Sequence, residues 1–151
     1  MPEKILVAHI SAGGATKEYA EVVAETLRSR GHVVELADLK KDRVKDVSGY
    51  SVVVAGMGVR MGMVYRKGKR FLARPDVAAK RLAVFLSSGE AIDDPARARE
   101  KFLTPLVGRL GLKPILYGAF PGKAPGVGKL RETTDPAVAK AWAERLADEL
   151  G

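Results

Sequence analysis

The sequence predicts a three-layer α/β domain, built on a doubly wound parallel sheet of five strands in the order 2-1-3-4-5. Two observations support this fold class. Apolar runs of strand length alternate with helical patterns along the chain. Most of these runs are continuously apolar, which is typical of parallel strands buried on both faces. No linker or internal repeat divides the 151 residues, so we expect one domain over residues 1–151.

The first part of the chain predicts three strands and one helix. Apolar residues recur at helical spacing over residues 15–30, and Gly31 is a typical helix stop. The segment 40–50 is polar and predicts no regular element. The strands are predicted over residues 4–10, 32–39 and 51–59.

The second part predicts two more strands and further helices, with prolines at their boundaries. Asp94-Pro95 and Asp135-Pro136 each combine a good N-cap residue with a proline suited to the first helical turn. Pro75 and Pro105 should interrupt the helical patterns in which they lie. The helical patterns cover 66–81, 96–111 and 137–150, the strands 81–88 and 113–120, and a long loop 121–134.

The composition narrows the range of functions. The chain has no cysteine, which excludes disulfides, thiolate metal sites and a cysteine nucleophile. His9 and His32 have no metal-ligand spacing around them, so we expect no metal site. The N-terminal apolar run is too short for a signal peptide, and no run is long enough to cross a membrane. A cytoplasmic protein is therefore expected.

The chain is basic, with a formal net charge of +8. Eight of its basic residues lie between Arg60 and Arg81, where the only acid is Asp76. Such a run is consistent with a solvated helix face or with a surface that docks an acidic partner or the anionic inner face of a membrane. No nucleic-acid-binding motif accompanies the charge, so nucleic acid is not an expected partner.

A turn rich in glycine and hydroxyl residues, HISAGGAT, separates the first predicted strand from the first helix. A helix N-terminus offers N–H groups and a positive field to a phosphate, and glycines allow a close backbone approach. The alternative is an ordinary strand-to-helix turn. The Gly-Lys-Ser/Thr end of a Walker motif is absent, and so is the dinucleotide-binding spacing G-x-G-x-x-G. Asp38, at the end of the second strand, keeps a dinucleotide open as an alternative. The phosphate hypothesis rests on Ser11, Ala12, Gly13, Gly14, Ala15 and Thr16.

These residues resemble the phosphate loop of the flavodoxin-like family, Ser/Thr-x-x-Gly-x-Thr, with Ser11, Gly14 and Thr16 at the matching positions. The stretch VVVAGMGVRMGMVY, through Gly56, Arg60 and Gly62, is similar to the branch that includes menaquinone-dependent protoporphyrinogen oxidase. The later segments AREKFLTPL and ILYGAFPGK are also similar to that branch, so the resemblance covers most of the chain.

The resemblance implies an FMN cofactor, with its phosphate in the first loop and its ring between the loops that follow the third and fourth strands. We expect the flavin to perform the redox chemistry, and no side chain stands out as an acid or base catalyst. The loop after the fourth strand lacks the aromatic residue that usually stacks on the flavin in electron-transfer flavodoxins. Tyr65 is the only aromatic residue near either of the two loops that would hold the ring. The ring is expected to contact Met57, Gly58, Val59, Arg60, Ser88, Gly89 and Glu90.

Three functions remain open at this point. The first is an oxidoreductase with a quinone or porphyrin substrate, and the second is a one-electron carrier with a redox partner protein. The third is a binding domain of the same fold that has lost FMN. The loop 121–134 is the only room for the long insertion of the protoporphyrinogen oxidase branch. The basic charge departs from typical flavodoxin shuttles, which are acidic.

Overall fold

A central parallel sheet organises the protein. The computed structural model describes residues 2–11, 14–60, 62–125, 130–131 and 133–151, with only the backbone at 60, 124–125 and 130–131. The first six strands are β1 Lys4–Ile10, β2 Val33–Asp38, β3 Val52–Arg60, β4 Met63–Val64, β5 Arg81–Ser88 and β6 Leu116–Pro121. Within the described residues, five of them pair in parallel in the order β2-β1-β3-β5-β6. These are the five predicted strands in the predicted order, so the fold class is confirmed.

Two short pairings add to the predicted sheet. Strand β4 turns back antiparallel onto the end of β3, with Val59 opposite Val64. The segment predicted as a loop contains a two-stranded hairpin, formed by β7 Ala124–Pro125 and β8 Leu130–Arg131. Two-residue strands are too short to produce an alternating pattern, which is why the sequence did not indicate them.

Helices cover both faces of the sheet, as predicted. The helices are α1 Ala15–Ser29, α2 Arg66–Ala73, α3 Pro75–Ala78, α4 Pro95–Ala98, α5 Thr104–Leu110 and α6 Pro136–Leu150. Helices α1 and α6 pack on one face, where they bury Ile5, Val7, Val54 and Phe85 of the strands. The other helices pack on the opposite face over Leu6, Ala55, Val84 and Leu86. Alternate residues of one strand thus enter two separate cores, which explains the continuously apolar runs.

The predicted caps and breaks lie where expected. The carboxylate of Asp94 accepts a hydrogen bond from the backbone N–H of Arg97 at 3.1 Å, and Asp135 accepts one from Ala137 at 3.2 Å. Helix α2 ends before Pro75, and a π-helical turn, Arg99–Leu103, separates α4 from α5 next to Pro105. Because proline has no N–H to donate to the preceding turn, the regular α-helical bonding cannot continue through these positions.

Aromatic side chains fill the core under α1 and α6. The ring of Phe85 stacks on Phe120 at 5.3 Å and meets Trp142 edge-on at 5.6 Å. The ring of Phe85 lies against β3 at Gly56. If Gly56 carried a Cβ atom, that atom would stand 2.2 Å from the Cζ atom of Phe85. The glycine at position 56 is therefore required by a core ring as well as matching the family motif.

Among the residues that the structure describes, no helix is both long enough and apolar enough to cross a membrane.

Candidate functional site

Four loops meet at the carboxyl edge of the sheet, beside the N-terminus of α1. Strands β1 and β3 are neighbours at the point where the strand order reverses, which is where doubly wound sheets open a ligand crevice. The loops follow β1, β3, β5 and β6. The sequence analysis placed the site at the first three of these loops and did not include the loop after β6.

The first loop brings its backbone against the end of β3. Helix α1 begins after Gly14, which has a φ of +85° in the left-handed region that favours glycine. Because glycine has no side chain, it provides no capping acceptor for the N–H groups of the first helical turn. Ser11 lies beside Gly58, whose added Cβ would come within 3.0 Å of the Ser11 Cβ. Ala12 and Gly13 lie outside the described residues.

Thr16 connects the first loop to the third. Its hydroxyl is fully buried and shares a hydrogen bond of 2.6 Å with the hydroxyl of Ser87 at the end of β5. Ala15 is also buried. Of the two predicted hydroxyls, Ser11 is therefore the one that is partly exposed, whereas Thr16 joins α1 to the sheet beneath the loop.

The second loop offers mainly its backbone. Met57 is 1% exposed, and its thioether packs under α2 against Gly68, where an added Cβ would stand 2.7 Å from the sulfur. Met57 therefore lies in the core instead of presenting its side chain to a ligand. Gly58 and the half-buried Val59 form the edge of the crevice, with the carbonyl of Gly58 bonded to the N–H of Tyr65 at 3.3 Å. The side chain of Arg60 lies outside the described residues.

The third loop begins with a capped 3₁₀ turn, Gly89–Ile92. The hydroxyl of Ser88 accepts a hydrogen bond from the N–H of Glu90 at 3.1 Å. The carboxylate of Glu90 points to solvent and pairs with Lys101 at 2.6 Å. Gly89 is thus exposed at the start of an ordered turn, whereas Ser88 is 2% exposed and the Glu90 side chain pairs with the π-helical turn between α4 and α5.

The fourth loop was missed by the sequence analysis. The N–H of Gly122 donates to the carbonyl of Ser88 at 2.8 Å, and an added Cβ on Gly122 would crowd that backbone at 3.0 Å. The next residue, Lys123, places its Nζ 3.7 Å from the point where a Cβ of Gly14 would stand. The same Nζ pairs with Glu18 at 3.1 Å. No local pattern links position 123 to the first loop, and the only available signal was that every strand-to-helix loop of a parallel sheet lies at this edge.

The basic run 60–81 divides into two groups. Arg74 donates to the carbonyls of Val44 and Lys45 and pairs with Asp76 at 2.6 Å. Lys80 donates to the carbonyl of Tyr50 at 2.7 Å, and Arg81 pairs with Glu3 at 3.1 Å. A second group makes no ion pair among the described residues and lies on α2 next to the 63% exposed Met63. We call this group, Arg66, Lys67, Lys69 and Arg70, the α2 basic face.

His9 lies just below the first loop and is 5% exposed. Burial lowers the pKa of its imidazole below the ordinary value of 6.5, although the nearby Asp38 acts in the opposite direction. Lys17 on α1 also lowers this pKa, whereas Glu21 and Asp42 raise it. The base of the site therefore favours a neutral histidine.

Lowering the pH should destabilise the protein through His9. Because its pKa is lower in the folded state than in the unfolded chain, the unfolded state binds more protons below about pH 6.5. The free energy of unfolding should then fall as the pH drops through that range. His32, whose pKa is also lowered by burial, acts in the same direction. A His9→Gln variant should reduce the slope of unfolding free energy against pH, measured by urea denaturation, without abolishing it. An unchanged slope would contradict this assignment.

No group of three or more His, Asp or Glu residues that could hold a metal ion occurs in the described part of the chain.

The sequence matches a known protein family over most of the residues of this site. The sequence model of the family described as "Flavodoxin domain" matches residues 6–125. This range includes the first three loops and Lys123. No curated protein matches this chain.

Several solved structures have the same fold. A short-chain flavodoxin associated with a non-canonical PDU bacterial microcompartment superposes with a TM-score of 0.68 at 14% identity, covering 100% of both chains. Flavodoxin 1 from Bacillus cereus gives 0.63 at 18% identity over 97% of this chain and 95% of that one. Rubredoxin oxygen:oxidoreductase from Desulfovibrio gigas gives 0.67 at 19% identity, with 97% of this chain but only 36% of that chain covered. At these identities the likeness establishes the fold.

Proposed function

Since the chain belongs to the flavodoxin domain family, we propose that it binds FMN at the carboxyl edge of the sheet and takes part in electron transfer. When bound, the flavin would supply the redox chemistry, while the protein binds, orients and tunes it.

The first loop is the observation on which the proposal chiefly depends. A left-handed Gly14 at the start of α1 leaves the first-turn N–H groups without a side-chain cap. Ser11 offers a partly exposed hydroxyl, and the ammonium of Lys123 lies beside the same turn. N–H donors, a hydroxyl and a cation are the groups that bind a phosphate, so the residues present fit the phosphate of FMN.

The second and third loops fit a flat ring through their backbone. Hydrogen bonds order both backbones at the edge where the four loops meet: the carbonyl of Gly58 accepts from Tyr65, and the N–H of Glu90 donates to Ser88. A flat ring would lie between these two ordered segments. The buried Thr16–Ser87 hydrogen bond fixes the floor between them. Tyr65 is half-buried, and the ammonium of Lys40 lies 5.4 Å from its ring centroid. Tyr65 is our candidate to cover the flavin ring.

The α2 basic face supports an acidic redox partner. Helix α2 starts directly after Tyr65, whose N–H bonds to the crevice residue Gly58, so its four cations lie close to the proposed ring site. Exposed cations attract and orient an acidic surface, chiefly by increasing the association rate. An anionic membrane that carries a quinone is the alternative partner for the same charges.

An absorption spectrum tests the cofactor. We expect protein incubated with FMN and then desalted to retain flavin absorption bands, and FMN to raise the melting temperature by mass action. Riboflavin, which lacks the phosphate, should stabilise the protein less. The absence of both flavin bands and a melting shift would refute FMN binding and favour the domain that has lost its flavin.

Two functions with FMN then remain, and turnover separates them. We propose an oxidoreductase of the quinone or protoporphyrinogen type, supported by the resemblance of the segment from Gly56 to Gly62. Steady-state turnover of a quinone or of protoporphyrinogen by the FMN-loaded protein is the expected result. Electron exchange with a protein partner, without turnover of either small molecule, would instead identify a carrier.

A further inference from the structure

We propose that Lys123 is a phosphate ligand that this chain adds to the first loop, and that Glu18 holds the lysine in place until the phosphate binds. The inference rests on the proposed function, since it assigns a residue to the phosphate end of that site.

The position of Lys123 is electrostatically unusual. A helix N-terminus carries a positive partial charge, so a cation there is unfavourable unless an anion lies close by. The Lys123 ammonium lies 3.7 Å from the Cβ position of Gly14, the residue before α1. Glu18, in the first turn of the same helix, supplies one anion at 3.1 Å. A phosphate bound between the N–H groups and the ammonium would supply a second.

Lys123 is held in this position by its neighbours. The carbonyl of Pro121 accepts a hydrogen bond from the hydroxyl of Tyr19, which is 1% exposed on α1. The same hydroxyl accepts a hydrogen bond from the N–H of Asp135 at 3.0 Å. One buried side chain thus fixes Pro121, two residues before Lys123, to α1, and it also binds Asp135 at the N-cap of α6. The side chain of Lys123 is 19% exposed, so its neighbours cover most of it, while its ammonium pairs with Glu18 at the surface.

The pairing with Glu18 is weak enough to be exchanged. The Glu18 side chain is 47% exposed, and ion pairs with such access to water contribute little to stability. A phosphate carries more charge and more acceptor oxygens than a carboxylate, and it would be held by backbone N–H groups at the same time. The phosphate should therefore bind the ammonium beside Glu18 or in its place.

Binding of FMN and of riboflavin to three charge variants tests the inference. Lys123→Gln should weaken FMN binding about tenfold or more and leave riboflavin binding unchanged, because only FMN carries the phosphate. Glu18→Gln removes the competing anion and should strengthen FMN binding. Lys113→Gln is the matched control, since Lys113 is exposed and precedes β6 at the opposite end of the sheet. It loses the same charge and should bind FMN like the wild type.

The outcomes separate this inference from the proposed function. If the wild type binds FMN and Lys123→Gln binds it equally well, the lysine is not a ligand although the function stands. An equal loss of FMN and riboflavin binding in that variant would also overturn the inference, because it would place the effect away from the phosphate.

Inorganic phosphate provides a second measurement without flavin. It should raise the melting temperature of the wild type above that in sodium chloride of equal ionic strength, and this difference should vanish in Lys123→Gln but not in Lys113→Gln. Failure of the wild type to respond to FMN and to phosphate would overturn both proposals.

Discussion

Gly14→Asp is expected to lose FMN binding while the protein remains folded. The new side chain would extend from the N-cap toward the Lys123 ammonium, which lies 3.7 Å from the Cβ position, and would occupy the place proposed for the phosphate. Two negative groups forced together cost several kcal/mol, so the affinity should fall at least about 100-fold. Fluorescence titration with FMN measures this loss directly.

Gly14→Asn is the matched control for that variant. Asn has the same shape as Asp and tolerates the left-handed φ of +85° about as well, so the two variants share any backbone strain. Asn lacks the charge and should retain much more of the FMN affinity than Asp. The free energy of unfolding of Gly14→Asp should equal or exceed that of Gly14→Asn, because the carboxylate can pair with Lys123 and favours a helix N-terminus. Equal FMN affinities in the two variants would contradict a phosphate site at this turn.

Gly56→Ala is expected to destabilise the protein by about 3 kcal/mol, at the upper end of what overpacking a core costs. The added methyl would stand 2.2–2.7 Å from three atoms of the Phe85 ring. The ring has little room to move because Phe120 and Trp142 pack against it. The backbone of β3 is equally constrained, since β1 and β5 pair with it on both sides. Urea denaturation gives the change in unfolding free energy.

Two further variants identify the cause of that loss. Gly56→Ala should cost much less when it is combined with Phe85→Leu, because the smaller side chain leaves room for the methyl. Gly49→Ala provides the control for a simple glycine replacement, because nothing lies within 4 Å of its added Cβ and its φ is not positive. We expect it to change stability by less than about 1 kcal/mol. The same penalty for Gly56→Ala with and without Phe85 would show that the ring is not its source.

The architecture was predictable because its signals are local. Each apolar run between polar segments became a strand, and Asp94 and Asp135 cap helices through bonds to residues two or three positions away. The order of the five strands followed from the alternation of strands and helices and from the handedness of crossovers. The hairpin of β7 and β8 was missed because its strands are two residues long.

The candidate site was predictable as a set of loops, whereas the roles of individual side chains were not. Met57 was expected to contact the flavin ring, yet its side chain lies in the core beneath Gly68. Thr16 was predicted to contribute a hydroxyl to the phosphate loop, and that hydroxyl is bonded to Ser87 at the end of β5. In each case the local pattern gave the place of the residue in the loop but not the direction of its side chain.

The sequence by itself determined the doubly wound sheet, the caps and proline breaks of its helices, and the loop at which a phosphate hypothesis is plausible. Only the tertiary structure decided which groups surround that loop. Lys123 and Tyr19 make contacts near this loop to residues more than 100 positions away, Glu18 and Pro121 respectively. Such contacts depend on how crossovers bring distant loops to one edge of the sheet. Hydrophobic periodicity and capping preferences extend over only a few residues, so they cannot indicate contacts between such distant positions.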